Sequence, residues 1–167
     1  MTESQANPPA DDPRGEPSIP PGKVAGIDYG TVRIGVAVSN SSRTIASPLE
    51  TYTRRGAKRD ADYFRELAGE EQIACFVIGL PVHLNGEESQ KSFEAREFGK
   101  WLHAETGVAI AYYDERFSTA QADELLAAGK LTKKRRKARR DMLAAQIMLA
   151  SFLESGATSR PDPGSIG

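Results

Sequence analysis

The sequence predicts one α/β domain: an open mixed sheet of five strands, three antiparallel ones leading and parallel ones following, with helices on its faces. Three observations carry that expectation. Residues 24–39 read as two short strands around a Gly-containing turn, residues 73–79 form a nearly continuous apolar run, and the elements succeed one another as βββαβαβαα. A chain of 167 residues with 39% hydrophobic content has the size and apolar surface for one domain with one core.

The first strand runs from Val24 to Asp28. The second, Arg33 to Ser39, alternates Ile34, Val36 and Val38, which makes a hairpin with the first. A third extended stretch, Thr44 to Tyr52, contains Pro48, which has no N–H for the ladder and is tolerated on a sheet edge. Lys58 to Glu71 reads as a helix because Ala61, Phe64, Leu67 and Ala68 fall at helical spacing. Ile73 to Gly79 has the composition of a strand covered on both faces, hence a central parallel one, and Gly79-Leu80-Pro81 ends it. After an Asn85-Gly86 turn, Glu88 to Thr106 reads as a helix with Gly107 as its C-cap, followed by a fifth strand from Val108 to Tyr113. Ser118 and Gln121 form a capping-box signal for a helix reaching Ala128 and closed by Gly129. The last helix is expected from Arg139 to Glu154.

The domain is expected at residues 23–155. Residues 1–22 hold six prolines and almost no large apolar side chains, so they read as a disordered tail, and residues 156–167 as a flexible one. No stretch reaches the ~20 apolar residues of a membrane span and no secretory signal opens the chain, so a cytoplasmic protein with no membrane partner is expected. Cys75 is the single cysteine and lies within an apolar run, as a buried thiol would.

Acids stand at three places that ask for an explanation. Asp28 ends the first strand in GIDYGT, where a buried carboxylate is costly unless it meets a cation or a donor; the structural alternative is an Asp that satisfies the turn at Gly30 and Thr31. Asp114 and Glu115 follow the fifth strand, again at a carboxyl end, where open α/β sheets gather ligands; the alternative is a surface pair with Arg116 or Arg54. Asp141 falls on the helical stripe of Ala145, Met148 and Phe152, which turns it toward the sheet; the alternative is a first-turn charge complementing the helix dipole, worth about 0.3–1 kcal/mol. Two strand ends and one helix face supply what hydrolysis with two metal ions needs. Hard carboxylate oxygens suit Mg²⁺ or Mn²⁺, paired at roughly 3.5–4 Å. His83 and His103 are isolated and Cys75 has no partner, which argues against zinc hydrolysis and thiol catalysis.

Lys130 to Arg140 carries eight basic residues and no acid, a local cationic patch in a chain of net charge −1. Such a run fits a nucleic-acid backbone as well as a solvated face.

Residues 27–38 (IDYGTVRIGVAV), 77–89 (VIGLPVHLNGEES), 114–119 (DERFST) and 139–154 (RRDMLAAQIMLASFLE) together resemble the YqgF family, small bacterial RNase H-like proteins known as pre-16S rRNA nucleases and as Holliday-junction-resolvase-like proteins. The resemblance spans nearly the whole expected domain. It implies an RNase H-like fold, Mg²⁺- or Mn²⁺-dependent endonuclease activity and trimming of the 5′ end of the small-subunit rRNA precursor, with branched DNA as the alternative substrate. Asp28, the acid of DERFST and Asp141 are the implied catalytic and metal-binding residues. Arg33 and Arg116, in the first and third motifs, join Lys133, Lys134, Arg135 and Arg136 as candidate nucleic-acid-binding residues. A resolvase acts as a symmetric pair, so that reading carries a homodimer with it.

Related RNase H-like enzymes often place a Glu at the end of the fourth strand, where this chain reads GLP, so the acid must come from Asp114 or Glu115. Strand alternation puts these two on opposite faces. Val108, Ile110 and Tyr112 share a face with Asp114, whereas Ala109, Ala111 and Tyr113 share one with Glu115. Small alanines admit a close helix, and the last helix carries Ala144 and Ala145 beside Asp141, which selects Glu115 as the metal ligand and leaves Asp114 as second candidate. Two other classes share features of this chain. Actin-like and sugar-kinase ATPases have a D-x-G-T phosphate loop but need two such domains, and a non-catalytic binding module would use the basic run alone.

Overall fold

The computed structural model describes residues 19–81, 89–114 and 133–155, with the backbone alone for residues 133–138. The expected helix from Ser118 to Ala128 and the outer parts of both tails lie outside these residues. Strands β1 (Lys23–Asp28), β2 (Arg33–Ser39) and β3 (Ala46–Thr53) are followed by helix α1 (Ala57–Glu70), β4 (Ile73–Leu80), α2 (Gln90–Thr106), β5 (Ala109–Asp114) and α3 (Lys133–Glu154). The sheet order is β3-β2-β1-β4-β5. β1 is antiparallel to β2 and parallel to β4, β2 is antiparallel to β3, and β4 is parallel to β5.

Pro48 stands on the edge strand β3, and the register slips beside it, where Val36 pairs with Glu50 and Ala37 with Pro48. The central β4 is buried along almost its whole length, as its unbroken apolar run requires. Ile27, Ile34, Val36, Phe76 and Ile78 face α1 and α2 and close on Phe64, Leu67, Phe98 and Leu102. Val24, Ala37, Cys75 and Val77 face the other way and close on Ala145, Met148, Leu149 and Phe152 of α3. α2 begins at a Ser89 cap whose Oγ accepts from the Ser92 amide at 3.0 Å and donates to the Pro81 carbonyl at 2.8 Å, and it ends at Gly107, in the left-handed region at φ 74°.

Most element boundaries fall within two residues of the sequence expectation, and two ends of the domain depart from it further. α3 starts at Lys133, six residues earlier than the apolar stripe indicates, because Lys, Arg and Ala are strong helix formers that need no apolar face to continue a helix. The basic run from Lys133 therefore forms the opening turns of a helix, and Asp141 lies beyond its first turn, which removes the first-turn dipole reading of that acid. At the other end, Ile19 packs on the α3 side of the core, and the Arg43 guanidinium donates to the carbonyls of Pro20 and Gly22, so residues 19–22 belong with the domain. Deleting residues 1–18 is expected to leave Tm unchanged. Deletion through Gly22 should lower it by about 3–6 °C, the effect of losing ~1 kcal/mol of hydrogen bonding in a domain of this size. Differential scanning calorimetry on the two truncations separates these outcomes.

Candidate active site

Alternation along β1 puts Val24, Gly26 and Asp28 on the face covered by α3, and alternation along β2 puts Arg33, Gly35 and Ala37 on the same face. Asp28 pairs directly across the ladder with Gly35. The backbone of α3 rests on that glycine: a Cβ built there would lie 2.0 Å from the Asp141 carbonyl oxygen. Gly26 makes a second seat, where a Cβ would lie 2.8 Å from Leu149 Cβ and 3.1 Å from the Ala145 carbonyl oxygen. Two glycines thus let the helix sink onto β1 and β2 and deliver Asp141 to the residue opposite Asp28. The sequence pattern assigns the close approach to the alanines of β5; the structure places it on these glycines, with α3 lying over β1, β2 and β3.

Asp141 Oδ2 accepts from Arg33 Nε at 3.0 Å, and the two side chains are 27% and 30% exposed. A pair this accessible contributes about 0–1 kcal/mol and is readily exchanged. A cation already sits on the carboxylate where a metal ion would be held. Arg33, a candidate nucleic-acid ligand from its motif, is in this structure the counter-cation of Asp141.

At the other parallel strands the same level is marked by Gly79 of β4, which pairs with Tyr113 of β5, while Leu80 pairs with Asp114. Ala109, Ala111 and Tyr113 lie on the α3 side, Tyr113 against the Phe152 ring at 5.9 Å, and Ile110 and Tyr112 lie on the α1–α2 side. Asp114 follows Tyr112 in that alternation and turns away from α3. A cleft of about 390 Å³ lies between the end of β1 and the start of α2, lined by Asp28, Thr31, Gly79, Pro81, Lys91 and Glu94 among others; neither Asp141 nor Arg33 lines it. Among the described residues no group of three acids, histidines or cysteines is gathered in one place. Glu115, Arg116 and the side chains of Lys133, Lys134, Arg135 and Arg136 lie outside them, as does His83.

A network that the sequence pattern does not announce holds the Asp28 turn from the α1 side. Asp60 is fully buried in α1, and it accepts from Tyr52 Oη at 2.6 Å, Arg54 Nε at 3.1 Å and the Arg55 amide at 2.9 Å. Arg54 Nη1 donates in turn to Tyr29 Oη at 3.2 Å, next to Asp28. Arg54 is therefore engaged by both Asp60 and Tyr29, while Glu115, one of the acids it could pair with, lies outside the described residues. Burial alone would push the Asp60 carboxyl up, but the bonds from Tyr52, Arg55 and Arg54 outweigh it and hold it below the ordinary carboxylate value. One signal points to it: Asp60 precedes Phe64 and Leu67 by four and seven residues, on the apolar stripe. Asp60→Asn is expected to destabilise the domain by on the order of 2–3 kcal/mol through lost charged hydrogen bonds. Because the folded-state pKa is lowered, this stabilisation is full above the unfolded carboxylate range near ~4 and is lost as pH falls through the folded value. Urea melts of both proteins from pH 7 to pH 3 should converge at the acid end; a constant gap would show that charge is not what Asp60 supplies.

The remaining chemistry-bearing residues take structural places. Cys75 is buried and its thiol is pushed up to about 12, chiefly by desolvation, so it is not a nucleophile at neutral pH. His103 Nδ1 lies 2.8 Å from the Val108 carbonyl oxygen at the end of α2.

The family model described as "RuvX: Holliday junction resolvase" matches residues 22–155, which takes in all five strands and the candidate carboxylates Asp28, Asp114, Glu115 and Asp141. The chain belongs to the RuvX family. A Rhodopirellula baltica relative named "Putative pre-16S rRNA nuclease" is 48% identical over 80% of this chain and 78% of its own. A Koribacter versatilis protein of the same name is 34% identical over 89% of this chain and 97% of its own. Among solved structures, Thermus thermophilus RuvC in complex with a Holliday junction substrate matches with a TM-score of 0.52 at 16% identity, covering 81% of this chain and 96% of that one. The yeast mitochondrial Holliday junction resolvase Ydc2 matches with a TM-score of 0.52 at 10% identity, covering 85% and 82%. At such identities the structural matches show the fold, and it is the RNase H-like one expected. RuvX membership places the chain among nucleases. Among the described residues no helix is long and apolar enough to cross a membrane.

Proposed function

We propose that this chain is a divalent-metal-dependent endonuclease that hydrolyses phosphodiesters of the 16S rRNA precursor, trimming its 5′ end. The observation that carries the reading is the seating of α3 on Gly35, which brings Asp141 to the residue directly opposite Asp28. Two carboxylates on one sheet face at the open end of β1, one of them already neutralised by a guanidinium, fit a hard divalent cation. Asp28, Asp141 and Glu115 would hold Mg²⁺ or Mn²⁺, which supplies Lewis-acid activation of water and stabilisation of the leaving oxygen. Glu115 is chosen over Asp114 because Tyr113 lies on the α3 side and Tyr112 on the other, so that alternation favours the residue after Asp114. Arg33, once exchanged from Asp141, stands beside the same site to neutralise substrate phosphate, and the cleft beside Asp28 gives the backbone a place with Lys91 on its wall.

Relatives that bear the rRNA nuclease name favour RNA, and the family description favours branched DNA as the second reading. Side-by-side incubation with a 5′-extended 16S fragment and a four-way DNA junction, with Mg²⁺, Mn²⁺ or EDTA, decides between them. Cleavage of RNA alone supports the proposal. Cleavage of the junction by a species of dimeric mass supports the resolvase, and gel shifts without cleavage identify a binding module.

Lys133, Lys134, Arg135 and Arg136 open α3 just ahead of Asp141 and are assigned to the substrate backbone, together with Arg116. Replacing the four by Glu is expected to weaken binding at least tenfold at low salt. The slope of log K against log salt should flatten by roughly 0.7–0.9 for each phosphate left without its cation. An unchanged slope would return the run to a solvated helix face.

A further inference from the structure

Beside the Asp28 cleft, and sharing its Tyr29 and Glu94 walls, a more open cleft of about 320 Å³ lies between the start of α1 and the outer face of α2. Its volume is at the lower end of the roughly 300–1,000 Å³ typical of small-ligand pockets. Its lining is aromatic and cationic. Tyr29 and Phe98 have ring centroids 4.9 Å apart, Phe98 and Trp101 5.5 Å apart, so the three rings form a continuous series. The Arg54 guanidinium lies 5.6 Å from the centroids of both Tyr29 and Phe98, held by its bonds to buried Asp60 and to Tyr29. Tyr29 and Trp101 remain only partly buried and are the rings a ligand can reach, whereas Phe98 is buried in the core and backs them. Glu94 and Glu97 complete the walls, and each already accepts one bond, from Gln90 at 3.4 Å and Lys100 at 3.1 Å.

We propose that this cleft receives one unpaired base of the strand whose phosphodiester lies at Asp28. The proposal rests on the nuclease reading above and names the form of substrate that reading leaves open. Aromatic rings and a fixed guanidinium plane offer what a nucleobase face seeks, and stacking of this kind tolerates any base. The two carboxylates repel phosphate but accept from amino groups on a base edge, so the cleft suits a base and not the backbone. The shared Tyr29 wall sets the base beside the cut, at the neighbouring nucleotide. A paired base keeps both faces stacked within its helix and cannot enter. The site therefore selects a single-stranded segment next to the scissile bond over continuous duplex.

Trp101 is the chain's only tryptophan, so intrinsic tryptophan emission reports on this cleft alone. The full chain, in EDTA to stop cleavage, is titrated with a short single-stranded RNA and with the same RNA annealed to its complement. Saturable quenching by the single strand is expected, with at least about fivefold weaker apparent affinity for the duplex. Trp101→Leu, followed by anisotropy of a labelled RNA, should weaken single-strand binding about tenfold and duplex binding less than about twofold. Emission unmoved by a single strand that anisotropy shows to be bound overturns the base site, as does equal quenching by duplex. So does a Trp101→Leu protein of unaltered Tm that binds the single strand as tightly as the parent. Should that variant not fold, the emission of the parent chain decides alone. A chain that neither binds nor cleaves RNA overturns the rRNA reading and this site with it, whereas cleavage with silent emission overturns the base site only.

Discussion

Asp28→Asn and Asp141→Asn are each expected to lower metal-dependent cleavage by more than about a hundredfold while nucleic-acid affinity and Tm stay near those of the parent. Loss of a residue that merely orients a metal ligand costs about 10–100-fold, and loss of a ligand itself costs more. Stability should be little affected, because the Arg33–Asp141 pair is solvent-accessible and contributes at most about 1 kcal/mol. Glu115→Gln should behave like the other two, whereas Asp114→Asn should retain measurable activity, since β5 turns Tyr112 away from α3 and Tyr113 toward it. The four variants are compared by single-turnover cleavage in Mg²⁺ and Mn²⁺, with filter binding in EDTA as control. An active Glu115→Gln beside an inactive Asp114→Asn would show that the strand twists after Tyr113 and that the two acids exchange roles.

Gly35→Ala is the second substitution expected to act strongly, although glycine and alanine differ by one methyl. That methyl would stand 2.0 Å from the Asp141 carbonyl oxygen and 2.6 Å from its carbon. Both are backbone atoms within a long helix, so no side-chain rotation relieves the clash; α3 must lift or β2 must bend. Overpacking of this kind costs typically about 1–3 kcal/mol, sometimes more. The catalytic cost is larger, because a displacement of about 1 Å at Asp141 reduces rate on the order of a hundredfold. Gly26→Ala provides the comparison, since its methyl would meet Leu149 Cβ at 2.8 Å and the Ala145 carbonyl oxygen at 3.1 Å. These atoms are equally fixed to the α3 backbone but farther away than those at Gly35, so a smaller shift of the helix, at a point away from Asp141, clears them. Thermal melts and single-turnover rates measured on the same preparations should show Gly35→Ala well below Gly26→Ala in rate. Equal rates for both would mean that α3 does not depend on Gly35 to place Asp141.

Most of the architecture is legible in neighbouring residues. The alternation of Ile34, Val36 and Val38, the unbroken run of β4, Pro48 at an edge and Gly107 after a helix each reflect interactions within a few positions, and each falls where expected. The exception is the start of α3, where charged helix formers carry no apolar period and the stripe alone marks the boundary too late. Asp28 and Asp141 are also legible, the first as a carboxylate at a strand end and the second on an apolar stripe.

What sets the Asp141 backbone across from Asp28 is not. A glycine within a strand signals that something approaches closely, but not what approaches. Only the tertiary structure identifies the visitor at Gly35 as the Asp141 backbone, because register along β1 and β2 and the seating of α3 depend on residues far apart in the chain. Asp60 makes the same point. Its place on an apolar stripe marks it as unusual, yet burial without a partner would be prohibitive, and its partners come from β3 and the turn after it, brought together by packing. Local periodicity thus settles which elements form and which way their side chains turn, while the close approach of backbones, which no periodicity encodes, settles which residue of α3 lies across from Asp28.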